Sequence, residues 1–187
     1  MKNLRPVSIA VCLGMALPVQ AQPVLAIDPA RSEVTFVARQ MGVPAQGRFG
    51  RFTAQLAFDP ARLAESRAQI EIELDSIDTG VAEADTEVKR RAWFDTSRFP
   101  TAKFVSSAVN HLGADRYEVA GKLTIKGRTR DIAAPFTVRR VNGATVFEGA
   151  FTLKRLEYGI GEGMWADTET VADEVQIRFE LTGIAGK

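Results

Sequence analysis

The sequence is poor in the residues that carry much of protein chemistry. Its 187 residues include one Cys and one His. That excludes a disulfide framework, a CxxC metal or redox site and a His-rich metal cluster. Charge of one sign is also lacking, since 24 Lys+Arg oppose 23 Asp+Glu for a formal net charge of +1. Nucleic-acid binding, which calls for a strongly basic face, has no electrostatic basis here. Trp and Tyr are scarce at two each, against 11 Phe. The apolar run from Val7 to Leu17 falls short of the roughly 20 residues a membrane-spanning helix needs. What is present, 45% hydrophobic and 25% charged residues, is the composition of a globular domain. The length suits one such domain.

The N-terminus reads as an export signal. Lys2 and Arg5 form a basic start, Val7 to Leu17 an apolar core, and Pro18 breaks the run before Val19-Gln20-Ala21. Cleavage is expected after Ala21, which divides the chain into a signal peptide over 1–21 and one domain over 22–187, placed in the periplasm. A lipoprotein signal at Cys12 is disfavoured because bulky Val11 precedes it and more apolar residues follow. Removing Lys2 and Arg5 leaves 22 basic residues against 23 acidic ones, and removing Cys12 leaves no thiol at all. An exported chain without disulfides has only its core to hold it.

The mature chain is patterned with period two, the signature of half-buried strands. Gln69 to Asp75 alternates strictly, and so do Arg51 to Phe58, Tyr117 to Ile125 and Glu174 to Leu181. Weaker versions lie at Ser32 to Ala38, Ala102 to Val109, Asp131 to Arg139 and Thr145 to Lys154. About eight antiparallel strands follow, because short Gly/Asn/Asp/Pro connections leave no room for parallel crossovers. One segment, Val81 to Ala92, lacks alternation and is rich in helix formers, with Thr79 or Asp78 as candidate caps. One short helix cannot cover eight strands, so the sheet must close into a barrel or fold into a sandwich. Such a small barrel either fills its interior with side chains or encloses one ligand.

Catalytic constellations are hard to assemble from these residues. His111 stands in a turn-like stretch with no nucleophile elbow nearby. Glu71, Glu73, Glu118 and Glu180 fall on the polar faces of their strands. The acidic stretch from Glu162 to Glu174 does not have the spacing of a calcium loop, and Gly159-Ile160-Gly161-Glu162-Gly163 precedes a strand where a phosphate cradle would precede a helix. No metal, no cofactor and no catalytic residue is expected. Two connections stand out by length and content. One is the helix with its Trp93-Phe94 exit; the other runs from Leu156 to Val171 and carries Met164-Trp165, either a lid over an apolar opening or a plug in the barrel end.

Several segments, in order, resemble the YceI-like proteins. They are Ile27-Asp28-Pro29-Ala30-Arg31-Ser32-Glu33-Val34-Thr35-Phe36, Gly47-Arg48-Phe49-Gly50-Arg51-Phe52, Ser76-Ile77-Asp78-Thr79-Gly80, Trp93-Phe94-Asp95, Phe99-Pro100-Thr101-Ala102-Lys103-Phe104, Gly121-Lys122-Leu123-Thr124-Ile125-Lys126-Gly127 and Arg155-Leu156-Glu157-Tyr158-Gly159-Ile160-Gly161. The chain departs from the family where Arg31 replaces a usual His, and in the helix, where Asp85-Thr86-Glu87-Val88-Lys89 stands against an Arg-Asp-x-His-Leu pattern. The resemblance implies an all-β, lipocalin-like barrel of eight antiparallel strands with one short helix inserted. It also implies a tunnel that binds an isoprenoid, such as a polyprenyl or quinone-precursor-like lipid.

On that reading the ligand is an isoprenoid or other long-chain apolar lipid, with no nucleic-acid partner and a transient contact to the membrane or a membrane protein. Monomer and dimer both stay open, as does service to a quinone pathway or a stress response. Candidate lining positions are Val34, Phe36, Phe52, Leu56, Ile72, Leu74, Phe104, Val119, Leu123, Phe136, Phe151, Leu153, Ile177 and Phe179, with Trp93, Phe94 and Trp165 near an opening. Arg48, Arg155 and Tyr158 are the head-group candidates. Two rivals remain: an isomerase or hydrolase acting on a lipid inside the barrel, marked by an inward polar pair, and an outer-membrane barrel, which would turn its apolar faces and aromatic girdles outward.

Overall fold

The strand Arg116–Ile125 shows how the alternation is resolved. Tyr117, Val119, Gly121, Leu123 and Ile125 are buried, and the residues between them are not. This strand belongs to a computed structural model that describes residues 24–185. The expected signal peptide and its cleavage after Ala21 lie outside the described residues.

In chain order the strands are β1 (Val24–Ile27), β2 (Glu33–Gln40), β3 (Val43–Phe49), β4 (Phe52–Ala57), β5 (Arg67–Glu73), β6 (Ile77–Asp78), β7 (Thr101–Gly113), β8 (Arg116–Ile125), β9 (Arg128–Val141), β10 (Ala144–Lys154) and β11 (Glu174–Ala185). One α-helix, α1 (Ala82–Val88), interrupts them. The eleven segments make eight staves, because three staves are each broken once. β1 and β2 both lie along β11, with Ile27 opposite Gly183 and Glu33 opposite Glu180. β4 pairs with β1 and β3 with β2, so they form the second stave. β5 and β6 continue each other beside them. Every pairing is antiparallel, and β11 on β1 and β2 closes the ring.

Tight turns enforce this order. Met41-Gly42, Lys126-Gly127 and Asn142-Gly143 each carry two successive positive φ angles, the two-residue hairpin geometry whose twist matches that of the strands. Two glycines serve a different purpose. Gly47 sits opposite Phe36 and Gly149 opposite Phe179 in the ladders, and a Cβ at either would collide with the phenylalanine ring. The bare backbone lets each ring lie across its neighbouring strand.

The core is the inside of the barrel. Val34, Leu56, Phe104, Leu123, Phe136 and Leu181 are among its buried members. The outer wall carries ion pairs, including Lys122–Asp131 across β8 and β9. Apolar residues therefore face inward, the reverse of an outer-membrane barrel.

Among the segments that differ from the sequence expectation are β3 and the helix. β3 was not among the eight predicted runs: Val43-Pro44-Ala45-Gln46 is exposed, and beyond β2 the strand is paired only at Arg48 and Phe49, so no apolar face marks it. The helix covers seven residues where a longer one over Val81 to Ala92 was expected. Neither Asp78 nor Thr79 caps it. Val81 occupies the cap position, and Asp85 reaches back to accept bonds from the Thr79 backbone N–H and hydroxyl, both at 2.7 Å.

Candidate binding cavity

The barrel interior holds two adjoining chambers. The narrower, about 120 Å³, is lined by residues such as Leu56, Phe104, Val119, Phe136 and Phe179. The wider, about 440 Å³, is lined by Phe36, Leu74, Trp93, Phe94, Leu153 and Trp165 among others. Val34, Ile72, Ala102, Leu123, Phe151 and Ile177 border both and form the waist between them. The inward positions of six strands thus line both chambers with apolar side chains.

The narrow end is stopped by aromatic rings. Phe58 meets Tyr117 edge-on at 5.1 Å and Phe147 at 5.4 Å, while Tyr117 stacks on Phe136 at 5.6 Å. Such edge-to-face and offset contacts are favourable beyond the area they bury. Burial raises the Tyr158 phenol, at the other end of the barrel, to about 12.

The wide end is closed by polar chemistry. The two long connections meet there: Ala92 O accepts from Gly161 N at 2.8 Å and from Glu162 N at 2.7 Å. Lys126 Nζ donates to Arg91 O at 2.8 Å and to Gly159 O at 2.6 Å, spanning both. Beneath them lies Arg155, 2% exposed, in a 3₁₀ turn at Arg155–Tyr158. Its guanidinium donates to the carbonyls of Ala172, Ile160, Gly161, Trp165 and Val171, at 2.7 to 3.0 Å. These five contacts match the five N–H donors that arginine possesses. Burial lowers its pKa, and the nearby Asp173 charge acts in the opposite direction. The Trp93 ring stands 5.7 Å from the guanidinium carbon and 5.4 Å from the Trp165 ring. Trp165 is half-buried on the cavity wall, and Met164 beside it is 82% exposed. Lid and plug thus describe the same loop, which covers the wide chamber from one side.

The structure distributes the sequence candidates unevenly. Every apolar candidate except Phe52 borders a chamber. Phe52 opens β4 just after the bend at Gly50, and it packs half-buried against the core outside both chambers. The head-group candidates are placed differently from expectation. Arg48 is exposed on the outside and paired with Asp78 at 2.9 Å. Arg155 borders the wide chamber, yet its donors are all held by backbone carbonyls. Tyr158 is buried in the core and borders neither chamber. Arg51, three residues on from Arg48, is bonded to Glu73 at 2.6 Å.

Pattern reading also missed residues that border the cavity. Ile70, Ile132, Phe147 and Leu181 lie on inward strand faces, where the alternation already marked them. Glu83, Ala84, Glu87 and Val88 of α1, with Arg39, Gln40 and Gln46 of the β2–β3 hairpin, rim the wide chamber. Nothing local marks these, because the helix reaches the opening only through the chain's path between staves. His111 stands exposed at the far end, with Nε2 2.7 Å from Ala114 O. Among the described residues no group of three or more His, Cys, Asp or Glu is arranged to hold a metal ion.

Known proteins carry the same architecture. UPF0312 proteins of Vibrio cholerae and Azotobacter vinelandii are 27% and 26% identical over 190 and 193 residues, covering 94% and 97% of this chain and 98% of each relative. The crystal structure of Burkholderia cenocepacia BcnA superposes with a TM-score of 0.81 at 43% identity, over 83% of this chain and 98% of that one. A polyisoprenoid binding domain from Saccharophagus degradans implicated in plant cell wall breakdown has the same fold, with a TM-score of 0.72 at 18% identity over 89% and 100% of the two chains. The YceI-like domain model matches residues 25–183, and the chain belongs to that family.

Proposed function

We propose that this protein is a periplasmic binding or carrier protein for an apolar, isoprenoid-type lipid, and not an enzyme. The observation that carries the proposal is the pair of adjoining chambers inside the barrel, whose shared lining is wholly apolar. Each CH₂ of a chain exposed to water costs about 0.8 kcal/mol, so a lined path of this kind stabilises a long hydrocarbon without any catalytic group. The polyisoprenoid-binding neighbour and the export signal read from residues 1–21 support the same view. The residues that we assign to the ligand are those bordering the chambers. Binding rather than turnover is favoured because the narrow chamber offers only Ser66 and Arg67 as polar side chains, with Arg67 directed to the Ala64 and Ser66 carbonyls.

Native mass spectrometry of the mature protein, purified under mild conditions and then exposed to prenyl lipids, tests the proposal. One lipid per barrel is expected; protein that neither carries nor takes up a prenyl chain sinks the idea. The two tryptophans of the chain, both on the cavity wall, supply a second readout through their fluorescence.

A further inference from the structure

Of the four rings at the narrow end, three belong to the barrel wall. Tyr117 and Phe136 face each other across β8 and β9, Phe147 lies on β10, and all three are buried. Phe58 is different. It directly follows the last residue of β4, where the chain leaves the wall, and it is only half-buried. Yet it meets every one of the wall rings at a steep angle, with centroids 5.1 Å from Tyr117, 5.4 Å from Phe147 and 6.2 Å from Phe136. The segment that carries it is tied at its base. Asp59 N donates to the buried Ser66 hydroxyl at 3.3 Å, and the Asp59 carboxylate accepts from Ala61 N and Arg62 Nε, both at 2.9 Å. The Phe58 ring is thereby held on the border of the narrow chamber, as a stopper set into a ring of fixed aromatics.

The length of the lining can be read from β8. Val119 borders the narrow chamber and Ile125, six residues on, the wide one. That stretch of strand rises about 20 Å, or about 15 Å along the axis of a barrel whose strands tilt by about 40°. With carbon–carbon bonds of about 1.5 Å an isoprene unit extends about 5 Å, so about three units lie along the run. Units beyond these fold into the wide chamber or project from it. Resting on the lipid-binding reading above, we propose that Phe58 is the chain-length stop of the cavity, the residue against which the last unit of the tail ends. A phenyl ring and an isoprene unit are nearly equal in carbon count, so truncating Phe58 to alanine vacates room for about one more unit. A short chain that already fits gains nothing from that room, whereas a long one draws a further unit out of water.

Competition in one tube tests this: the mature protein is mixed with equimolar farnesol, geranylgeraniol and solanesol, and native mass spectrometry counts which prenol it carries. In Phe58→Ala the ratio of bound solanesol to bound farnesol is expected to rise at least about fivefold over wild type, the effect of burying one more unit. Comparing the two proteins in the same mixture cancels the solubilities of the prenols themselves. Phe58→Leu keeps an apolar side chain at the site and guards against an alanine variant that does not fold; a rise of about twofold is expected there. An unchanged ratio in the folded variants overturns the stop. So does wild-type protein that prefers solanesol to geranylgeraniol by more than about tenfold, since burial would then continue past Phe58. If none of the three prenols binds, it is the lipid-binding reading that fails.

Discussion

The two ends of this barrel are shut by different physics. At the narrow end, Phe58, Tyr117, Phe136 and Phe147 interlock, and closure is dispersion between rings. At the wide end, closure is a set of hydrogen bonds from Arg155 and Lys126 to the carbonyls of two loops. Ring packing is close and fills the space between the staves. A lattice of bonds to loop backbone is directional, and it holds open space beneath it. The contrast goes with a chamber of about 120 Å³ at one end and one of about 440 Å³ at the other.

That contrast is open to direct attack. The largest effect is expected from Arg155→Met, which removes a buried cation and strands five carbonyls. A loss of about 3–5 kcal/mol in denaturant unfolding is anticipated, together with faster hydrogen exchange confined to the segment around residues 156–172. A loss below about 1 kcal/mol would show that the loop is held by other means. At the opposite end, Phe136→Ala should cost about 3–5 kcal/mol, with no such local exchange, because a ring inside a packed cluster is lost instead of a network. Exchange spreading into the wide-end loops of that variant would erase the distinction between the ends.

Two titrations give smaller effects. The Tyr158 phenol is raised by burial from 10.0 to about 12, so its neutral form favours the fold. That contribution is complete below pH 10 and disappears as pH rises toward 12, since the unfolded chain ionises first. In Tyr158→Phe the alkaline loss of thermal stability in this window should be reduced, with near-wild-type stability at pH 7. The smallest effect belongs to Glu162, whose carboxyl is held below its usual 4.5 chiefly by the hydrogen bond from Lys126. A depressed carboxylate stabilises above its unfolded pKa and ceases to do so as pH falls through the folded value. Glu162→Gln should therefore flatten the acid side of the melting-temperature profile below about pH 4.5 and leave neutral pH changed by less than about 1 kcal/mol, as befits a half-exposed pair. An unaltered acid limb would show that the Lys126 contacts hold the loop through the Arg91 and Gly159 carbonyls alone.

Much of the barrel was legible because strands announce themselves locally. Gln69 to Asp75 and Tyr117 to Ile125 alternate so strictly that face and burial follow from the residue types. The inward side chains were likewise readable; Phe52, opposite inward Ile72, packs against the core without bordering a chamber. The strand at Val43–Phe49 was invisible because an exposed strand, paired along its length with β2 alone, needs no apolar face. The helix ends earlier than its composition suggests, where Lys89 and the residues after it leave the helix for the turns that lead to Trp93 and Phe94.

The candidate site divides along the same line. The sequence by itself determined, through its alternation, that the interior is apolar and, through its short connections, that the strands are antiparallel; with one Cys and one His it leaves no residues for a disulfide or a His cluster. It could not say whether the eleven phenylalanines fill the barrel or leave room, since volume depends on how staves meet. Nor could it assign Arg155. An arginine read in sequence is a cation available to an anion, whereas in the folded chain five carbonyls from residues 160 to 172 converge on it and exhaust its donors. Local patterns record what a side chain prefers. Only tertiary structure decides what reaches it, and here that decision makes a candidate ligand contact the fastening of the cavity.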